Sequence, residues 1–330
     1  MRSEAEWVRR LRRQFPPGGG VRVGIGDDAA LLAGDRGREW VVTTDLLVED
    51  VHFLRRAQPA QAVGWKALAR SLSDLAAMGA RPRYALIALA VPVTTPTAWG
   101  DAFFSGVKTL AVRHRVRVAG GDLSVAPVVV ADVQVLGEVE AGRAVRRGGA
   151  RVGDAVFVSG TLGLSRLGLA CLRQRVGLVG PLLRRAVEAH FYPQPRLALG
   201  RALARRGATA MIDVSDGLST DLGHLCEASG VRARLYRERI PVVELLAPLA
   251  GRLRTTGIEL AMNGGDDYEL LFTLPERAAA RLPRQLGGVR LTRIGEITRG
   301  RGILLVESDS RGRARERRLE PRGWDPFRRR

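Results

Sequence analysis

The chain has 330 residues, 45% of them hydrophobic and 26% charged, with a formal net charge of +19. That length allows roughly two domains of ordinary size. No apolar run reaches the ~18 residues of a membrane span, and the opening MRSEAEWVRRLRRQF lacks the apolar stretch of a secretion signal, so a cytoplasmic setting is expected.

Cys171 and Cys226 lie in separate apolar segments without a C-x-x-C partner, which argues for free, buried thiols over a disulfide framework or a zinc site. The basic excess is nearly all Arg, with Lys66 and Lys108 as the lysines, and it is spread along the chain. Charge alone permits nucleic-acid binding. No zinc finger or aromatic RNA-binding signature accompanies it, so a general enrichment in Arg, Ala, Gly and Val is the simpler reading, with Arg328-Arg329-Arg330 as a solvated tail.

In chain order, 23–32 reads VGIGDDAALL, placing Gly24, Gly26 and Ala29 at the spacing of a dinucleotide fingerprint with Asp27 and Asp28 between them. Residues 40–42 read as a short strand running into Thr43-Thr44-Asp45. Val63, Leu68, Leu72, Leu75 and Ala76 recur at helical spacing and predict a helix over 59–78, stopped by Gly79. A strand over 84–91, a helix over 97–115 capped by Thr97 and a strand over 128–139 complete a mixed α/β domain at 1–145. After the connector GRAVRRGGARVGD, the domain at 146–330 carries strands over 155–159, 210–213, 231–236, 268–273 and 302–307. Its expected helices run from the Gly160–Gly163 turn to about 174, over 218–228 and over 276–286, with breaks at Pro193 and Pro195.

A dinucleotide fingerprint needs a helix directly after its glycines, whose free N–H groups hold the pyrophosphate. Here Gly34 and Gly37 interrupt the chain and a strand follows, and the two Asp would repel a pyrophosphate. The Walker pattern is absent as well. What stands out instead is carboxylates at element ends: Asp27, Asp28, Asp45, Asp74, Asp122, Asp213, Asp216, Asp266 and Asp267. Each has a plain structural reading, such as Asx turns at the Asp-Asp pairs, a helix cap at Ser215 or Asp216, or an i, i+4 pair between Arg70 and Asp74. Together, on loops beside Gly, they suit a site for more than one Mg²⁺, which takes oxygen ligands.

The segments GIGDDAAL, TTDLLVEDVHF, KALARSLSDLAAMGARP, AGGDLS, GDAVFVSGTLG, IDVSDGLSTDLGHL and NGGDDYELLFT closely resemble, in this order, the thiamine-monophosphate kinase family. Its superfamily includes aminoimidazole ribonucleotide synthetase, selenophosphate synthetase and a hydrogenase-maturation protein. The match runs from about Glu4 to Trp324, and SLSDLAAMGA, VSDGLSTDLGHL and GGDDYELLF are the segments most specific to the thiamine branch.

The resemblance implies a two-domain α/β fold of the aminoimidazole ribonucleotide synthetase type, whose N-terminal sheet pairs into a barrel across a homodimer. It implies transfer of a phosphoryl group from ATP to thiamine monophosphate with the help of several Mg²⁺. By motif, Asp28, Thr43, Thr44, Asp45, Asp74, Asp122, Asp213 and Asp216 resemble the metal ligands; Gly121, Asp122, Arg147 and Ser215 the ATP contacts; and His52, Asp266 and Trp324 the substrate contacts. The family usually has Glu where this chain has Asp266, and often Thr where it has Leu123. Two other readings are a superfamily relative acting on another acceptor and a basic nucleic-acid binder. The first Cys is Cys171, against selenide chemistry, which usually brings a reactive Cys near the N-terminus, and the Asp-rich loops would repel a nucleic acid.

Overall fold

The structure is a computed structural model that describes residues 3–174, 176, 180–308 and 313–327. The expected tail Arg328-Arg329-Arg330 lies outside the described residues.

The first half opens with α1 (Glu4–Gln14), capped by Ser3, whose hydroxyl accepts from the Glu6 N–H. It continues as β1 (Val21–Val23), β2 (Ala30–Ala33), β3 (Arg38–Val48), α2 (Ala60–Ala77), β4 (Arg81–Val91), α3 (Thr97–His114), β5 (Arg117–Val125) and β6 (Val130–Glu140). Its strands form one open sheet of order β1-β2-β3-β6-β4-β5. Side chains alternate across a strand, and along β6 the alternate positions Ala131, Val133 and Val135 are fully buried.

The short strand expected at 40–42 is the middle of β3, which pairs with β6 from Arg38↔Glu140 to Val48↔Val130. Thr43, Thr44 and Asp45 therefore sit inside a strand, with alternating faces. Helix α3 begins at Thr97 but its cap position is Pro96, and Thr97 makes no capping bond.

The second half comprises β7 (Asp154–Ser159), α4 (Leu164–Arg173), α5 (Pro181–Phe191), α6 (Leu197–Arg205), β8 (Ala210–Asp213), α7 (Leu218–Ser229), β9 (Arg232–Tyr236), α8 (Ala247–Leu253), α9 (Gly257–Asn263) and β10 (Leu270–Pro275). It ends with α10 (Glu276–Ala279), β11 (Gln285–Leu286), β12 (Val289–Thr298), β13 (Gly302–Ser308) and β14 (Ala314–Leu319). The sheet runs β14-β13-β9-β12-β7-β10-β8, with β11 pairing to β12. The helix expected over 276–286 stops after one turn. Gly287 and Gly288 hold φ of 59° and 80°, and they turn the chain into the β11–β12 hairpin.

Strand β7 is buried at every position because the sheet is covered on both faces. Phe157 stacks on Phe272, ring centroids 5.5 Å apart, in the core that also holds Leu68, Leu72 and Leu75 of α2, while Val156 and Val158 join a second core with Leu218, Leu222 and Leu225 of α7. This explains an apolar run without alternation.

Helix α2 serves both halves. It packs on the first sheet and α3, and against α6, where a Cβ on Gly200 would come within 2.0 Å of the Ala76 carbonyl oxygen. Among the described residues no helix is long and apolar enough to cross a membrane.

Candidate active site between the two halves

A cleft of about 1520 Å³ opens between the halves. Every candidate residue lines it except Gly121 and Asp122. The loop between β1 and β2 supplies Asp28, β3 supplies Thr43 and Asp45, and α2 supplies Asp74 from its last turns. From the other half come Asp213, at the end of β8, and Ser215 and Asp216 in the turn before α7.

Asp28, Asp74 and Asp213 each place a carboxylate oxygen within 4.8 Å of the others. The Ser73 hydroxyl donates to Asp213 Oδ2 at 2.6 Å, and the Thr43 hydroxyl to Asp74 Oδ2 at 2.5 Å, so both acids are aimed by neighbours. Arg147 grips Asp28 Oδ1 through two N–H groups, at 3.0 and 2.6 Å. Asp28 Oδ2 is buried without a hydrogen-bond partner among the described residues.

Burial raises the pKa of Asp28 to about 7 against the pull of Arg147, with Asp213 and Asp27 adding repulsion. Asp213 is raised to about 6 and Asp216 to about 7, burial again leading, and Asp74 rises well above the carboxylate range through burial and then Asp45, Asp213 and Asp28. Four acids thus repel one another out of water, and Arg147 neutralises chiefly one of them. Hard, closely spaced oxygens and an orphaned carboxylate oxygen form a donor set that fits Mg²⁺.

The plain readings of these acids fare unequally. Arg70 does not pair with Asp74; it donates to Asp45 Oδ1 at 3.3 Å. The cap position of α7 is Gly217, and neither Ser215 nor Asp216 caps the helix. Asp221, one turn inside, accepts from the Asp216 and Gly217 N–H groups instead, leaving the Asp216 carboxylate to the cleft. Asp27 Oδ1 accepts from the N–H of the next residue, Asp28, one position short of an Asx turn, and also from the Arg147 backbone N–H.

Thr44 points to the opposite face of β3 from Thr43 and donates to Asp132 while bordering the cleft. Gly121 and Asp122 lie on β5, the exposed edge strand, outside the cleft of this chain. A Cβ on Gly121 would meet the Ile87 carbonyl oxygen at 1.8 Å, so the pairing with β4 itself demands glycine there.

The far end of the cleft is built differently. Asp266 Oδ2 receives Lys66 Nζ at 2.7 Å and Oδ1 receives the Tyr268 hydroxyl at 2.8 Å. Burial would raise the Asp266 pKa, but Lys66, Arg70 and His190 hold it below the usual carboxylate range. Both Asp266 and Tyr268 sit at positive φ, 62° and 49°, a conformation costly for non-glycine residues and often kept at binding sites.

The ring centroid of His52 lies 6.4 Å from that of Trp324, and the Trp324 N–H donates to the Asp216 carbonyl. His52 Nδ1 accepts from the Val48 N–H, and burial, helped by Arg70, lowers its pKa to about 4, so the neutral ring carries its proton on Nε2.

In the sequence, Lys66, Tyr268 and Asp221 carry no expected site role, and Arg70 only an ion pair with Asp74. Lys66 and Arg70 had a signal: with Asp74 they form an i, i+4, i+8 row along α2, opposite its apolar stripe, and Lys66 is one of two lysines.

The family model for AIR synthase related proteins matches this chain in both parts, the N-terminal domain over residues 26–139 and the C-terminal domain over 151–307. The thiamine-monophosphate kinase of Aquifex aeolicus is 36% identical over 303 residues, 92% of either chain, and that of Bacillus subtilis 34% over 315, covering 93% of this chain and 94% of the other. The chain belongs to the thiamine-monophosphate kinase family. A solved structure in this family, AaThiL complexed with AMPPCP and TMP, matches with a TM-score of 0.85 at 33% identity, covering 98% of this chain and 97% of that one.

Proposed function

We propose that the chain transfers the terminal phosphoryl group of ATP to thiamine monophosphate, giving thiamine diphosphate and ADP. The observation that carries this is the Asp28, Asp74 and Asp213 group, lining one cleft with Arg147, Asp266, His52 and Trp324. A relative solved with an ATP analogue and TMP supports the same pair of ligands.

The acceptor is itself a phosphate, anionic at neutral pH, so its oxygen attacks the terminal phosphorus in line without a protein base, as the bond to the ADP oxygen breaks. The obstacle is the approach of two polyanions. Asp28, Thr43, Asp45, Asp74, Asp213 and Asp216 would hold Mg²⁺, with Thr44 at the rim. When bound, the ions supply positive charge that screens this repulsion and neutralises the transferred group.

Arg147 fits a phosphate oxygen pair bidentately and Ser215 borders the nucleotide. Asp266, whose pKa the Lys66 ammonium holds below the usual carboxylate range, and the Trp324 ring suit a cationic, aromatic acceptor. His52, neutral and fixed by Val48, orients that end through its Nε2–H.

We further propose a homodimer with domains at 1–145 and 146–330. The first sheet leaves one face and the edge β5 uncovered, with Leu46, Tyr84, Val118, Leu123 and Val125 exposed. A second copy there would cover these and bring Gly121 and Asp122 to a nucleotide site near the interface. The cytoplasm is the fitting compartment for the free thiols of Cys171 and Cys226.

The test is Mg²⁺-dependent ADP release with thiamine monophosphate, thiamine or no acceptor. Stimulation by thiamine monophosphate alone is expected; equal rates in all three would overturn the reading.

A further inference from the structure

Two arginines border the acid group, and only one is committed to it. Arg147 holds Asp28 by two bonds. Arg70 reaches Asp45 by one bond at 3.3 Å, and its Nε is buried without a partner among the described residues, although the guanidinium carries five N–H donors.

Helix α2 places Arg70 one turn after Lys66 and one turn before Asp74, so it stands between the Asp266 end and the metal-type acids. Its charge acts on Asp45 and Asp216 on one side and on Asp266, Tyr268 and His52 on the other. Phosphoryl transfer between two anions needs a grip on each, and Arg147 is held against Asp28. Asp266 is already neutralised by Lys66, which is fully buried, so Arg70 is not needed as its counter-ion.

We propose that Arg70 grips the phosphate of the acceptor, holding it between the metal-binding acids and the end that takes the thiamine body. This rests on the kinase reading above. The long bond to Asp45 leaves Nε without a partner among the described residues; with substrate, the guanidinium meets phosphate oxygens, for which its planar fork is suited. An arginine present only to neutralise Asp45 would act on metal affinity and would be blind to the acceptor's phosphate.

The test uses the full chain with Mg²⁺ and compares binding of thiamine monophosphate with that of thiamine by titration calorimetry, in the unmodified protein and in Arg70→Gln and Arg70→Lys. Arg70→Gln should weaken thiamine monophosphate about 10- to 100-fold, the loss of one charged contact, while thiamine and the ATP KM stay the same. Arg70→Lys should recover part of the loss. Unchanged thiamine binding also shows that the variant is folded. Should both ligands weaken equally, or excess Mg²⁺ restore the variant, Arg70 serves Asp45 and the proposal falls. If the unmodified chain itself does not prefer thiamine monophosphate over thiamine, the kinase reading falls first; if that preference survives Arg70→Gln, only the role of Arg70 does.

Discussion

The two ends of the cleft hold acids of the same kind in opposite electrostatic states. At one end Asp28, Asp74, Asp213 and Asp216 crowd together with only Asp28 bonded to a guanidinium, and burial pushes their protons on. At the other, Asp266 has an ammonium at 2.7 Å and stays ionised. A buried carboxylate without a cation is a request for one, whereas a buried carboxylate with its own cation is a finished anionic surface. The first suits a site that is filled by a metal during turnover, and the second one that reads a cationic ligand.

The contrast is broken most severely at Asp74. Asp74→Asn should lower turnover by about 1000-fold or more, since it removes a central ligand of the charge that the reaction needs. The metal-free variant should melt no lower than the parent, because one repelling charge is gone. A rate assay paired with thermal melting checks both.

Lys66→Met is the mirror case. Asp266 would lose its close cation and keep the Tyr268 hydroxyl, at a stability loss of about 3 kcal/mol read by urea unfolding. Adding Asp266→Asn to it should recover much of that loss while leaving the thiamine body poorly bound.

The ends should also differ in their response to pH. Asp28, raised from 3.8 to about 7, binds its proton more tightly folded than unfolded. Between those values the folded state carries more protons, so its contribution is present below about pH 4 and declines as pH rises to about 7. Asp266, lowered in the fold, works in reverse: its contribution is present above its unfolded pKa and is lost as the pH drops below 3.8. Unfolding free energy measured from pH 4 to 8 should therefore fall with pH in the metal-free protein, and saturating Mg²⁺ should flatten the slope. The smallest effect is expected for Trp324→Ala, about 1 kcal/mol in acceptor binding, seen as a several-fold rise in KM with kcat kept.

The contrast was half legible in the sequence. The row of Asp in Gly-rich loops was visible; α2 follows from strong periodicity and most of β4 from an apolar run of strand length. Strand β3 was cut short because Thr43-Thr44-Asp45 reads as a polar strand end, whereas β6 pairs it through to Val48. Helices α5 and α6, and the strands β1, β2 and β5, gave no signal that local pattern could resolve; β5 carries GGD and is exposed throughout, so burial imposes no alternation on it. The Arg70 pairing was misread because i, i+4 spacing shows which groups are near along a helix, while the partner across the cleft, Asp45, comes from β3. Charge balance at the Lys66 and Asp266 end spans 200 residues of chain, and local spacing carries no trace of it.

The most direct test of the contrast is Mn²⁺ binding, in place of Mg²⁺, followed by electron paramagnetic resonance in the unmodified chain, Asp74→Asn and Asp266→Asn with a non-hydrolysable ATP analogue present. Tight binding is expected in the unmodified chain, with its loss in Asp74→Asn and its survival in Asp266→Asn. Equal Mn²⁺ binding by the two variants would contradict it.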